Sequence, residues 1–182
     1  MLAFLGLAAA IVVCDQVLKA WVVANFEFDK PSQIIGDWLR IDLIHNAGGL
    51  FGMLQGSAPV LGAVSLAVVA VLVAIEWRMG WRSWLLTLTL SLLLAGAIGN
   101  FIDRMRFGYV VDFVDIGIGT WRFYIFNLAD SAVTTSILLI LFLTIAGTWL
   151  ERRFGLPGLG MAAADDDGEA GRPGAGTEPG ER

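Results

Sequence analysis

Three long windows of this chain carry no Asp, Glu, Lys or Arg at all: residues 58–75, 83–102 and 131–150. A helix needs roughly 20 apolar residues to cross about 30 Å of hydrocarbon, so each window is predicted to span a membrane. A fourth apolar run, residues 2–26, is interrupted by Asp15, Gln16 and Lys19, with Asn25 at its end. The acid and the base are four apart, on one helical face, where they can meet each other or the bundle interior instead of lipid. It is read as span one, and the chain as an all-α integral membrane protein with four transmembrane helices.

The connecting segments change period. In Gly-Asp-Trp-Leu-Arg-Ile-Asp-Leu-Ile, residues 36–44, Trp38, Arg40 and Asp42 alternate with Leu39, Ile41 and Leu43, which is a strand signal. Residues 106–126 are similar, with Tyr109, Val110, Val111, Phe113 and Val114 before Gly117 and Gly119. Both loops fall on one face of the predicted bundle. Trp38 and Trp121 on that side, and Trp77, Trp81 and Trp84 on the other, suit the two interfacial belts. From residue 154 onward Gly, Pro and acids dominate, so the chain divides into a membrane domain at 1–153 and a disordered tail at 154–182.

Composition sharpens this picture. The chain of 182 residues is 57% hydrophobic and 16% charged, which rules out an ordinary soluble fold. The net charge of −5 sits mostly in the tail, where six acids face Arg172 and Arg182. With 12 Lys and Arg in all and no basic stripe, nucleic acid is excluded as a partner. Cys14 and His45 are each the sole residue of their type, so no disulfide, thiolate zinc site or histidine cluster forms within the chain. No metal and no cofactor is expected.

The first residues, hydrophobic up to Cys14, lack an early Lys or Arg and carry Val12 and Val13 where a cleaved leader has small residues. They are therefore kept within span one, and Cys14 is expected to be a small buried hydrophobe. Four spans put both termini on one side, with Arg78, Arg82, Arg152 and Arg153. The other side holds Lys30, Arg40, Arg104, Arg106 and Arg122, so the count of positive charges does not decide orientation. The local density at Arg78 and Arg82 favours a cytoplasmic turn there.

Polar groups near the spans gather at one face: Asp15 and Lys19; His45 and Asn46; Asn100, Asp103 and Arg104; Asp112 and Asp115; Asn127 and Asp130. Ionisable groups in such places are functional candidates by default. Asn100, Asp103 and Arg104 share a helical face, and Ala95, Gly96 and Gly99 just before them allow another helix to approach. Taken singly, Asn127 reads as a helix N-cap, and Arg104 with Asp103 or Asp112 as a structural ion pair. Taken together, the carboxylates allow peptide hydrolysis without serine, histidine or metal. Two neighbouring carboxyl groups cannot both ionise near neutrality, so one serves as acid and the other as base toward an attacking water. The candidates are Asp15, Asp103, Asp112, Asp115 and Asp130.

Five ordered segments make the reading specific: DQVLKAW from Asp15, NAGGLFG from Asn46, GAIGNFIDR from Gly96, VVDF from Val110 and FNLADS from Phe126. Their order and spacing closely resemble the lipoprotein signal peptidase (signal peptidase II) family over about residues 1–150. The resemblance implies a four-helix aspartic protease of the bacterial inner membrane, in which the loops at 27–57 and 104–126 form a small extracytoplasmic β-rich cradle and lid. Such an enzyme cleaves prolipoprotein signal peptides before a cysteine carrying a diacylglyceryl group, drawing that substrate from membrane lipid. It also implies that Asp112 and Asp130 are catalytic, and that Asp15, Lys19, Asn46, Gly48, Asn100, Asp103, Arg104, Phe126, Asn127 and Ala129 support substrate and site. Globomycin-type inhibitors are expected to bind. Gly49-Leu50 departs from the family's two small residues at that place, and the acidic tail has no counterpart in the family core. The competing classes are a proton-coupled membrane transporter using the polar cluster as a relay, and a membrane scaffold whose polar groups only pack helices.

Overall fold

The computed structural model describes residues 1–48, 58–79 and 84–154. Gly49-Leu50, Trp81, Arg82 and the tail from residue 155 lie outside the described residues, as do the side chains of Arg152 and Arg153. Four helices and four strands follow in the order α1 (Leu2–Asn25), β1 (Ser32–Ile35), β2 (Leu39–Asn46), α2 (Ala58–Met79), α3 (Trp84–Phe107), β3 (Val110–Ile118), β4 (Trp121–Arg122) and α4 (Leu128–Phe154). Two compact units are present, Met1–Leu141 and Phe142–Arg182, and the packing, sheet and site described below belong to the first.

Three stretches are long and apolar enough to cross a membrane: Leu2–Asn25, Trp84–Phe107 and Leu128–Gly147. Among the described residues the fourth expected span falls short of that length: in α2 the apolar stretch is the shorter Pro59–Ile75. The polar interruption of α1 explains itself in the packing. Asp15 and Lys19 lie on the same inward stripe as Phe4, Ala8 and Val22, so the charges face protein while the rest of the helix stays apolar. Phe4 and Ala8 pack with Leu72 of α2 and Leu90, Leu94 and Ala95 of α3. The hydroxyls of α3 cost little in such a setting because they bond main-chain carbonyls: Thr89 to Leu85 at 2.7 Å, and Ser91 to Thr87 at 2.7 Å.

Cys14 departs from expectation: it is exposed on the outer face of α1, since the inward stripe passes through Asp15 instead. Trp77 and Trp84 are exposed where α2 ends and α3 begins.

The strands form one antiparallel sheet in the order β1-β2-β3-β4. The strand expected over 36–44 begins three residues later, because Gly36 adopts a φ of +51° and Trp38 N–H bonds the Ile35 carbonyl at 3.1 Å, closing a turn. β1 completes that hairpin. In the β2–β3 ladder Ile44 faces Asp112 and Asn46 faces Val110. Successive side chains alternate faces. One face presents Val111 and Phe113, which bury with Leu43 against Val22 of α1. The other turns Asp112 and Asn46 toward each other, joined at 2.9 Å.

The far end of the sheet is locked by Arg122. Its Nε and Nη2 hold the Asp115 carboxylate at 2.9 and 2.7 Å, and Nη1 reaches the Asp37 carbonyl in the other hairpin at 2.6 Å. Trp38, Ile118 and Trp121 stand exposed around this latch.

Candidate active site

The site begins at the first turn of α4. Asn127 is its N-cap: its Oδ1 accepts the Asp130 N–H at 2.9 Å, while Asp130 Oδ2 accepts the Asn127 N–H at 3.3 Å. This reciprocal pair satisfies two main-chain donors that a helix start leaves free, and it fixes the Asp130 carboxylate beside the positive end of the helix. The Nδ2 of the same Asn127 turns outward to Asp112 Oδ1 at 2.6 Å, with the Val111 carbonyl at 3.3 Å. One fully buried asparagine therefore holds both carboxylates.

Two further amides complete the frame. Asn100 of α3 donates Nδ2 to Asp130 Oδ1 at 2.7 Å and accepts Asn127 Nδ2 on its own Oδ1 at 3.1 Å. Asn46 of β2 donates to Asp112 Oδ2 at 2.9 Å and accepts the Gly48 N–H at 3.0 Å. All four carboxylate oxygens thus have N–H donors. Asp112 is fully buried, and burial first, then the neighbouring Asp130 charge, pushes its carboxyl up to about 7 against the lowering effect of the two asparagines. It holds a proton near neutrality, as one member of a close carboxyl pair does.

Behind this frame lies a buried ion triad. Lys19 Nζ is 2.8 Å from Asp15 Oδ2 and 2.8 Å from Asp103 Oδ2. Asp15 Oδ1 accepts the Ala129 N–H at 2.9 Å, and Asp103 Oδ2 accepts the Val111 N–H at 3.1 Å. The close approach of α3 to α1 and to α4 depends on glycine. A Cβ at Gly99 would lie 2.8 Å from Asp15 Oδ2, and one at Gly96 would lie 2.5 Å from the Ala129 carbonyl oxygen.

Arg104 is not in the ion pair read for it from sequence. Asp103 is occupied by Lys19, Val111 and Gln16, and Asp112 by two asparagines. The Arg104 guanidinium instead donates to the Gly48 carbonyl at 3.0 Å, and its Nε is buried without a hydrogen-bond partner. Phe126 acts through its main chain: its carbonyl accepts the Phe113 and Val114 N–H groups at 3.1 and 2.8 Å, tying the approach to α4 onto β3.

His45 and Asp115 stand apart from the cluster. His45 stacks on Tyr109 at 3.9 Å and packs against Phe28 at 4.5 Å, on the opposite face of β2 from Asn46, and burial lowers its pKa. Asp115 belongs to the Arg122 latch. Gln16, on which the sequence reading built nothing, bonds both Asp15 and Asp103.

Asp130, Asn100, Asn46 and Arg104 open onto a cavity of about 740 Å³, whose remaining wall is largely apolar, including Leu61, Val64, Val68, Leu93 and Val133, with hydroxyls such as Ser65 and Thr134 among them. Among the described residues, no group of three or more His, Cys, Asp or Glu is arranged to hold a metal ion.

A carboxylate-bearing cavity set among apolar helices defines an integral membrane fold with a polar site, and two solved bacterial membrane enzymes share that fold. One aligns with a TM-score of 0.76 at 31% identity, covering 81% of this chain and 90% of its own. The other aligns with a TM-score of 0.70 at 32% identity, covering 78% and 92%. The chain belongs to the signal peptidase II family: residues 7–146 match the family described as Signal peptidase (SPase) II. The lipoprotein signal peptidase of Moorella thermoacetica is 37% identical over 137 residues, which is 75% of this chain and 89% of that protein. That of Geobacillus thermodenitrificans is 40% identical over 134 residues, 74% of this chain and 84% of its own length.

Proposed function

We propose that this protein is a membrane aspartic endopeptidase that removes signal peptides from prolipoproteins, cleaving before the diacylglyceryl-modified cysteine, with Asp112 and Asp130 as the catalytic pair. The observation that carries this reading is Asn127, which binds Asp112 through its side-chain amide and Asp130 through its main chain and Oδ1. Two carboxyl groups in one hydrogen-bond frame, one of them protonated near neutrality, are the acid and base that amide hydrolysis requires.

Asp130 borders the cavity and takes the proton of the attacking water. Asp112 supplies its own proton to the developing oxyanion, and the roles reverse as the amine leaves. Asp15 and Asp103 are left out of the pair because both carboxylates are engaged by Lys19 and by main-chain N–H groups. The cavity's apolar wall suits a signal-peptide helix and acyl chains arriving from lipid, while its polar end admits water. Globomycin-type inhibitors are expected to occupy the same space.

In the membrane, α2 is the remaining span, giving four. The sheet lies at the extracytoplasmic face of the bacterial inner membrane, and both termini, with the tail at 154–182, are cytoplasmic. A transporter relay is less well supported, since such a relay spreads ionisable groups through membrane depth and these converge on one corner.

The test uses purified full-length protein and a synthetic diacylglyceryl-cysteine peptide. Asp112→Asn and Asp130→Asn are each expected to lose at least about 10²- to 10⁴-fold in cleavage rate while remaining folded. Near wild-type cleavage by either variant would remove that residue from the pair.

A further inference from the structure

Ala129 and Val111 share a property that their places in the chain conceal. Ala129 immediately precedes Asp130, and Val111 immediately precedes Asp112. The main-chain N–H of each is held by a buried carboxylate, Asp15 for the first and Asp103 for the second. These two carboxylates come from different helices, α1 and α3, and are joined to each other twice. Lys19 Nζ bridges them at 2.8 Å on either side. Gln16 Nε2 crosses the same gap, 2.9 Å from Asp103 Oδ1 and 3.3 Å from Asp15 Oδ2, and also reaches the Gly99 carbonyl at 3.3 Å.

We infer that Gln16 and Lys19 are positioning residues: as a double strut between Asp15 and Asp103, they set the spacing of the two main-chain segments that carry Asp130 and Asp112. The inference rests on the proposed catalytic pair and goes beyond it, by assigning the pair's separation to residues that touch neither carboxyl group.

The physical need is plain. Two carboxyl groups that share a site repel when both ionise, and the asparagine frame in front grips them at the carboxylate oxygens, at the ends of their side chains. The strut acts behind them on the main chain, where a shift moves the whole residue. Lys19 supplies the attraction that draws Asp15 and Asp103 together. Gln16 gives direction, because a primary amide has two N–H donors in one plane and can serve acceptors on both helices. Reactivity depends steeply on such placement, and a 1 Å error costs about 10²-fold.

Gln16→Met separates this role from charge and from bulk. It keeps side-chain length, removes both donors and leaves every ionisable group near the pair in place: Lys19 and Asp15 on α1, Asp103 and Arg104 on α3. The full-length variant is assayed with the diacylglyceryl-cysteine peptide for kcat, KM and pH–rate profile, alongside thermal unfolding. A fall in kcat of about 10²-fold is expected, with KM within a few-fold. The two limbs of the profile should also move toward each other, because a wider pair interacts less and its two ionisations separate less. Lys19→Met should show the same fall in kcat; if it does not fold, Gln16→Met alone decides.

Wild-type kcat and profile in Gln16→Met, with Asp112→Asn and Asp130→Asn inactive, would overturn the strut and leave the pair intact. A loss of activity that only tracks lost thermal stability, with the profile unmoved, would overturn it equally. Activity retained by Asp112→Asn or Asp130→Asn would instead count against the catalytic pair itself.

Discussion

Replacing Gly96 by alanine should slow catalysis through one added methyl group that touches no catalytic atom. The new Cβ would lie 2.5 Å from the Ala129 carbonyl oxygen and 2.5 Å from Val133 Cγ2, whereas ordinary contact begins at 3.4 Å. The side chain of Val133 can rotate; the Ala129 carbonyl cannot, because its own N–H is held by Asp15. Helix α4 must therefore retreat from α3 by about 0.9 Å at the residue before Asp130. Asn100 stands four residues beyond Gly96 on the same helix, and its bond to Asp130 would lengthen from 2.7 Å toward about 3.6 Å, past hydrogen-bond range.

Overpacking of this kind costs about 1–3 kcal/mol in stability. The displacement of Asp130 should lower kcat by about 10²-fold. Both are measured on the purified variant, by thermal unfolding and by cleavage of the diacylglyceryl-cysteine peptide. Gly6→Ala and Gly62→Ala are the matched controls, since a Cβ at Gly6 meets nothing within 4 Å and one at Gly62 meets only Phe101 at 3.9 Å. Each should be neutral or gain up to about 1 kcal/mol of helix stability. If Gly96→Ala matched those controls in activity, the argument from helix approach would be wrong.

Two further outcomes follow from named contacts. Asp115→Asn should leave kcat near wild type but destabilise the protein by about 1–3 kcal/mol, because it removes the charge that Arg122 grips with two nitrogens; an unchanged unfolding temperature would show the latch to be idle. The carboxyl of Asp112, raised to about 7 in the folded protein, titrates near the ordinary value of 3.8 when unfolded. Between those values the unfolded chain gives up a proton that the folded one keeps, so this residue lowers stability as pH rises. Asp112→Asn cannot ionise, and its unfolding temperature should gain on wild type from about pH 4 to about pH 7, between the two values, and no further above them; a difference that stayed constant with pH would refute the assignment.

The long apolar windows were legible because hydrocarbon imposes length and composition directly, and the helices begin and end within a few residues of the pattern except where α3 runs on to Phe107. The polar motifs were legible as a set, but their division of labour was not. Sequence offered five aspartates on equal terms from composition and position. Only the partners separate them: Lys19 for Asp15 and Asp103, Arg122 for Asp115, asparagines for Asp112 and Asp130.

Gln16 went unread because a glutamine inside an apolar helix has no spacing rule; its meaning lies in acceptors 83 and 87 residues away. The signal that could have raised it is its place between Asp15 and Lys19. His45 invited a functional reading as the sole histidine, yet stacking between two aromatic rings is a matter of cross-strand register, which a lone residue type does not reveal. Cys14 was misjudged because apolar character alone does not tell protein from lipid as the neighbour.

The N-cap of α4 has a consequence for the order in which the molecule comes into being. A ribosome delivers Asp15, Gln16 and Lys19 first, then Asn46, Asn100, Asp103 and Asp112, and Asp130 last. Until residues 127–130 take up their helical turn, Asp112 has Asn46 as its amide donor and no second carboxylate beside it. Winding the last helix and assembling the proposed catalytic pair are the same event, made by the same atoms. On that proposal, a nascent chain that stalls before this turn cannot cleave, and one that completes it is armed at once.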